Sequence, residues 1–365
     1  MTKSANLRSE IPARKPLEIN ADMLTLARES RGMTQAELAR SSGVSQANIS
    51  KYEAKVFRVH EEHLENIANT LRYPVEFFFL AEQRFGFGSS CTYHRRRQTM
   101  PVRDLNTVLA RTNILRMRIK ILLRGAELEC DNDFPRLDLN DYDGNVEQIA
   151  GILRSMWRIP SGPVTNLVAA IECAGGIVFR CPFGTRKVDA ISQWIPGLPP
   201  IFFVNSEIPG DRLRFTLAHE LGHIIMHRID SENSEVEADR FASEFLMPAK
   251  DIGPDLSSVN LPKLTRLKPY WKASIAALIR RAHDLGKITD RQYRSLNEMM
   301  SRSGYRMSEP APIAVEEPTL LREIIRVHRQ DHGYSVEELG RLLLMGEDEM
   351  REDFGIGSRG LRLVG

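Results

Sequence analysis

No stretch of this sequence holds about 20 consecutive apolar residues, so nothing in it reads as a helical membrane span. The first ten residues, Met-Thr-Lys-Ser-Ala-Asn-Leu-Arg-Ser-Glu, lack the apolar core of a secretory leader. Both absences lead to the expectation of a cytoplasmic protein with no membrane partner. Cysteine is scarce. Cys91, Cys130, Cys173 and Cys181 are the only four in 365 residues, none forms a Cys-x-x-Cys pair, and their spacing fits no zinc knuckle. Reduced thiols are therefore expected. A dominant charge is also lacking: the formal net charge is +2, which points to no class of partner. Only residues 1–97 lean basic, with 15 Lys and Arg against 11 Asp and Glu, a balance of +4 that is compatible with nucleic acid. There is no internal repeat, Gly-rich phosphate loop or nucleophile elbow. The acidic stretch 130–145 lacks the EF-hand spacing for Ca²⁺ and reads as a surface loop.

What is present is an ordinary soluble composition, 42% hydrophobic and 27% charged, in a chain long enough for two or three domains. One stretch carries unusual chemistry: His219-Glu-Leu-Gly-His223, set in an apolar helical context. Residues four apart lie on one helix face. His219 and His223 can therefore close on one metal ion, and Zn²⁺ favours nitrogen donors at tetrahedral spacing. Glu220 is rotated by about 100° from His219. It can stand beside the metal as general base without ligating it. His227 is excluded as a co-ligand on a continuing helix. It would lie about 12 Å of rise from His219, beyond the reach of two bonds of about 2 Å, and is expected to support or pack.

A second helix, 235–248, has an apolar face of Phe241, Phe245 and Leu246 and stops at Pro248. Crossing the first, it could supply a third ligand. Glu235 and Asp239 again stand four apart, so Glu235 could ligate while Asp239 accepts a hydrogen bond from a ligand histidine. Glu237 is the rival. It lies about 200° around the helix from Glu235, so both cannot face one ion. An acidic helix start favoured by the dipole is the plain alternative.

Residues 160–250 resemble the ImmA/IrrE family of zincin-type metallopeptidases. The likeness rests on Phe215-Thr-Leu-Ala-His-Glu-Leu-Gly-His223, on Ile201-Phe-Phe-Val-Asn205, and on Glu235-x-Glu-Ala-Asp239 with Leu246-Met-Pro248. The resemblance implies His219, His223 and one downstream glutamate on zinc, with Glu220 as base. The glutamate is taken to be Glu235, from the Glu-x-x-x-Asp pattern of other zincins.

The N-terminal part carries a different pattern. A helix beginning near Ala21 ends at Gly32. Thr34 caps a second helix, with Glu37 completing a capping box. Gly43 turns the chain, and Ser45 caps a third helix over 46–54. Helix, short Gly turn, helix is the helix-turn-helix arrangement. Met33-Thr-Gln-x-Glu-Leu-Ala, Gly43-Val-Ser and Ile49-Ser-Lys-Tyr-Glu53 resemble the XRE (lambda-repressor-like) family. The resemblance implies that Gln46, Ala47, Asn48, Ser50 and Lys51 face the major groove. Gln and Asn suit adenine edges, and Lys suits guanine or phosphate. Gln35 would hold a phosphate at a helix N-terminus. The run Tyr93-His-Arg-Arg-Arg97 reads as a solvated linker that could reach the DNA backbone.

Between and beyond these regions, 101–129 reads as a long amphipathic helix, and 146–158 and 164–174 as two more. The runs 176–180, 190–194 and 201–205 read as short strands. Residues 307–318 read as a linker, and the tail as a helical sensor or dimerisation lobe. The expected fold is mainly α with an α+β zincin-like domain. It comprises an N-terminal all-α helix-turn-helix domain, a small three-stranded sheet with active-site helices, and a helical C-terminal region. The expected boundaries are 18–82 for the DNA-binding domain, 101–145 for a helical linker and acidic loop, 146–250 for the zinc peptidase domain, and 251–365 for a helical accessory region.

The expected function is DNA-binding transcriptional regulation, with zinc-dependent cleavage of a repressor or of the chain itself in a stress, phage or toxin–antitoxin response. The partners would be a duplex operator, a protein substrate or cognate repressor or toxin, and a second copy in a homodimer. The alternative is an antitoxin or transcription factor whose zincin fold senses or binds without catalysis.

Overall fold

Sixteen α-helices and three strands form among the described residues, 17–86, 101–228 and 231–356, of this computed structural model. Cys91, the 93–97 basic run and most of the N-terminal arm lie outside them. The chain divides into two units. One gathers residues up to Arg84 with Asn106–Met117 and the segment from Val336. The other runs over Phe85–Leu105 and Arg118–Ser335.

In the first unit, α1 (Ala21–Ser30), α2 (Gln35–Ser42), α3 (Gln46–Glu53) and α4 (Glu61–Leu71) are followed by a 3-10 turn at Val75–Phe79. The expected capping box forms at α2: the Glu37 N–H donates to Thr34 Oγ1 at 3.2 Å, and the Thr34 N–H to Glu37 Oε2 at 2.7 Å. Gly43 takes the left-handed conformation (φ 72°) that ends α2, and Ser45 caps α3. Leu24, Leu38, Val44, Ile49, Ile67 and Phe78 are fully or nearly fully buried in one core. The middle of α5 (Val102–Leu123) adds Ala110, Ile114 and Met117 to that core. The C-terminal helices Val336–Leu342 and Glu347–Phe354 belong to this unit too; Glu349 pairs with Arg31, and Leu344 packs against the core.

The second unit is built on α6 (Val146–Met156), α7 (Leu167–Cys173), β1 (Ile177–Cys181), β2 (Ala190–Gln193) and β3 (Ile201–Asn205). The sheet order is β1-β3-β2. β1 runs parallel to β3 (Ile177 opposite Ile201), and β2 runs antiparallel to it (Ser192 opposite Phe202). Nearly every strand residue is buried, as expected for strands covered on both faces. Two long helices follow, α8 (Gly210–Met226) and α9 (Ser234–Leu246), and they pack closely on each other. Gly222 makes this possible. A Cβ there would stand 3.0 Å from Phe241 Cδ1, so the absent side chain admits the Phe241 ring.

The segment 307–318, which reads as a linker, is instead drawn into the second unit. Glu309 Oε2 lies 2.7 Å from Lys268 Nζ, and that ammonium also meets Asp211 Oδ2 at 2.7 Å. Glu316 pairs with the buried Arg214 and accepts from the Leu167 and Val168 N–H groups at the start of α7. Two buried cations hold it, and its Pro-rich composition conceals this.

Candidate metal centre and reading helix

The pitch of α8 stacks His219 above His223, with their Nε2 atoms 3.1 Å apart. The close α8–α9 packing brings Glu235, in the first turn of α9, to the same point. Its carboxylate oxygens lie 3.3 Å from His223 Nε2 and 3.9 Å from His219 Nε2. A tetrahedral ion with bonds of about 2.0–2.1 Å separates its ligand atoms by about 3.3 Å. The three donors therefore fit one such ion. Glu237 is turned away, to His227.

Neighbouring groups assign the histidine protons. A carboxylate can only accept. His219 Nδ1–H therefore donates to Asp239 Oδ1 at 2.8 Å, leaving the Nε2 lone pair for a metal. His227 Nε2–H donates to Glu237 Oε2 at 3.0 Å. Its Nδ1 is then an acceptor, and His223 Nδ1–H donates to it at 2.9 Å. This leaves the His223 Nε2 lone pair beside that of His219. Two lone pairs so close, faced by a carboxylate, are compatible with a metal ion held between them. His227 stays neutral: burial, then the neighbouring His223 and His219, lower its pKa to about 3. Burial opposes charge on His219, but the Asp239 hydrogen bond and the charges of Glu220, Asp239 and Glu235 outweigh it and raise its pKa. His227 is not in α8, which ends at Met226. Its extended backbone (φ −105°, ψ 108°) swings the ring alongside His223.

Glu220 is buried and faces the sheet. Its Oε2 accepts from the Ser192 N–H at 3.1 Å and from the Ser192 hydroxyl at 2.6 Å, while Oε1 receives no hydrogen bond from the described residues. Ser192 gave no sign of this in the sequence. A strand of four buried residues does not disclose which side chain will dock against a helix.

In the first unit, Ile49 and Tyr52 turn α3 inward. Gln46, Ala47, Ser50 and Lys51 are exposed, and Asn48 is half-buried. Lys51 Nζ lies 4.7 Å from the centre of the Phe57 ring, itself more than half exposed. Gln35 is engaged internally: its amide donates to Glu53 Oε2 at 2.8 Å, and Glu53 also takes both arms of Arg28 at 2.6 and 2.9 Å.

Comparison with known proteins agrees with this division. Residues 24–78 match the family model described as helix-turn-helix. Residues 171–283 match a peptidase family model described as the IrrE N-terminal-like domain. The chain carries both domains. Two curated relatives, each an uncharacterized HTH-type transcriptional regulator, one of Sinorhizobium medicae and one of Rhizobium meliloti, are 38% identical over 65 residues. That is 18% of this chain and 47% of each relative, so the chain spans about half the length of the curated relatives it matches. The helix-turn-helix domain thus holds the exposed α3 face. The IrrE N-terminal-like domain holds His219, Glu220, His223, Glu235 and Asp239, together with Ser192. No helix of the described residues is long and apolar enough to cross a membrane.

Proposed function

We propose that the chain is a DNA-binding transcriptional regulator whose second unit is a zinc-dependent peptidase. Its substrate is a repressor or the chain's own linker near 81–100, in a stress, phage or toxin–antitoxin response. The convergence of His219 Nε2, His223 Nε2 and the Glu235 carboxylate beside Glu220 carries this reading. These three residues would hold the metal. Zinc, when bound, supplies a Lewis acid for the scissile carbonyl and lowers the pKa of water. Glu220, anchored through Oε2 by Ser192, takes the proton of the attacking water at Oε1 and passes it to the leaving amine. Asp239 and the His227–Glu237 pair keep both ligand histidines in the tautomer that leaves Nε2 unprotonated.

The first unit brings this activity to an operator. Gln46, Ala47, Asn48, Ser50 and Lys51 read the major groove, and two copies read half-sites about one helical turn apart. Gln35 acts on phosphate placement through Glu53. Phe85 and Gly86 line a cavity that also includes Ser192 and His227, which supports the linker's access to the site. The second reading, a non-catalytic sensor or antitoxin, draws support from the tethering of Glu220 to Ser192.

One experiment decides between them. Zinc-loaded protein, alone and with cell extract, is examined for fragments by mass spectrometry beside Glu220→Gln. Cutting that depends on Glu220 establishes the peptidase. Absence of such cutting, with DNA binding and response intact, establishes the sensor.

A further inference from the structure

Next to the metal-binding residues lies a cavity of about 430 Å³ whose lining includes Arg136, Ser192, Gln193, Trp194, His227 and Arg228. Its chemistry is one-sided. Arg136 is fixed in place: its Nη1 donates to the Ile224 carbonyl at 2.8 Å, and its guanidinium stacks 3.9 Å from the Trp194 ring centre. Arg228 is exposed at the mouth. Neither has a carboxylate partner among the described residues. Burial, and then the positive charge of Arg228, depress the pKa of Arg136, and no carboxylate of the described residues offsets that repulsion. Gln193, 3% exposed, has both amide atoms buried without a hydrogen-bond partner. A buried amide left in that state is costly, and this one lines the same cavity. Two guanidinium groups with no carboxylate among the described residues, and an amide with no hydrogen-bond partner among them, form a receptor for a carboxylate and the backbone next to it.

On the peptidase reading above, we propose that this cavity is the subsite for an acidic side chain of the substrate peptide. Arg136 and Arg228 receive the carboxylate, and Gln193 bonds the adjoining peptide group. The acidic residue stands at a fixed position close to the scissile bond, because Ser192 links the cavity to Glu220 and His227 links it to His223. This preference favours a second protein over the chain's own linker. The only acid in 81–100 is Glu82, which lies 3.8 Å from Arg116, and the other charged residues of that stretch are the four arginines Arg84, Arg95, Arg96 and Arg97.

The test uses the full chain and a peptide pool prepared from a bacterial proteome, with free and with amidated C-termini. Zinc-loaded protein cuts one portion. Immobilised Glu220→Gln retains peptides from the other, so binding is read without cutting. Asp and Glu should be enriched at one position, about tenfold or more, in both C-terminal forms. Arg228→Ser should remove most of that enrichment, and Arg228→Glu should replace it with Lys and Arg. Arg228 is exposed, so these variants keep the fold. Retention with acidic enrichment but no cutting leaves the subsite standing and rejects the peptidase. Cutting without acidic enrichment, or enrichment that Arg228→Glu leaves unchanged, overturns the subsite and leaves the peptidase standing. Enrichment that vanishes on amidation also overturns it, in favour of a C-terminal carboxylate.

Discussion

Glu237 Oε2 sits 3.0 Å from His227 Nε2, and that single contact sets proton positions two rings away. Because the carboxylate accepts, His227 must accept in turn from His223, and His223 is left with a bare Nε2. Glutamine at 237 can present either N–H or C=O, so the relay loses its direction. Glu237→Gln should weaken zinc binding by about 10-fold, the usual cost of disturbing a partner of a ligand. Glu235→Ala, which removes a donor, should weaken it more, and His219→Ala or His223→Ala should empty the site. Competition with a chromophoric chelator measures all four. If Glu237→Ala empties the site while Glu235→Ala does not, the third ligand has been assigned to the wrong glutamate.

Gly222 predicts a coupling between packing and metal binding. An alanine Cβ would press on the Phe241 ring, whose Cδ1, Cγ and Cβ lie 3.0, 3.1 and 3.2 Å from that point. The ring is fully buried and stacked on Phe245, so α9 must yield by a few tenths of an ångström. Gly222→Ala should cost about 1–3 kcal/mol and draw Glu235 back from the histidines. Phe241→Leu in the same chain should restore part of both losses. Unchanged stability and zinc affinity in Gly222→Ala would show that the approach of the two helices does not place the third ligand.

Lys268 makes a prediction about pH. Burial disfavours its charge, but Asp211 and Glu309 outweigh burial and raise its pKa above the ordinary 10.5. The stabilisation is therefore fully present below that ordinary value and fades as pH rises through the higher folded-state value. Urea unfolding followed by tryptophan fluorescence reports the second unit, which contains all three tryptophans. The Lys268 contribution should be constant from pH 7 to 9 and fall in the alkaline range above about 10.5. Lys268→Met leaves the buried Asp211 and the partly buried Glu309 without their shared cation, though backbone N–H groups of Arg212, Ile275 and Ala276 still donate to them, and should cost about 2–3 kcal/mol at pH 7. A loss under about 1 kcal/mol would place this triad among weak surface pairs.

Local periodicity made much of this legible. His219 and His223 share a face because any helix stacks residues four apart, and the caps at Thr34 and Ser45 are read from their own neighbours. The three strands fall within a residue or two of the β-rich runs. Properties set by one element's docking on another were not legible. The choice between Glu235 and Glu237 depends on how α9 is rotated about its axis, which Phe241 fixes against Gly222. Ser192 reaches Glu220 only because β2 lies beside α8. Residues 307–318 have linker composition, yet Lys268 and Arg214, far away in sequence, draw their carboxylates inward. The helix stops at Met226, one residue short of His227, and nothing in the local sequence marks that stop.

The reading helix yields a prediction in which neighbouring side chains differ in kind. Lys51 and Gln46 are exposed on α3, so each should act at particular base pairs. Lys51→Ala and Gln46→Ala should each cost about 1–3 kcal/mol for an operator selected from random duplex DNA, and should relax the preference at one position. Gln35 is different, because its amide is held by Glu53, which in turn holds Arg28. Gln35→Ala should disturb how α2 and α3 sit on the backbone and weaken all sequences alike. If Lys51 instead rests on a phosphate, Lys51→Ala will reduce the salt slope by about one while leaving sequence preference intact. Titrations of the full chain at several salt concentrations, against selected and scrambled duplexes, separate these cases. Equal losses on both duplexes for Lys51→Ala and Gln46→Ala, with unchanged preference, would mean that α3 does not read bases. No binding to any duplex at low salt would remove DNA from the function altogether.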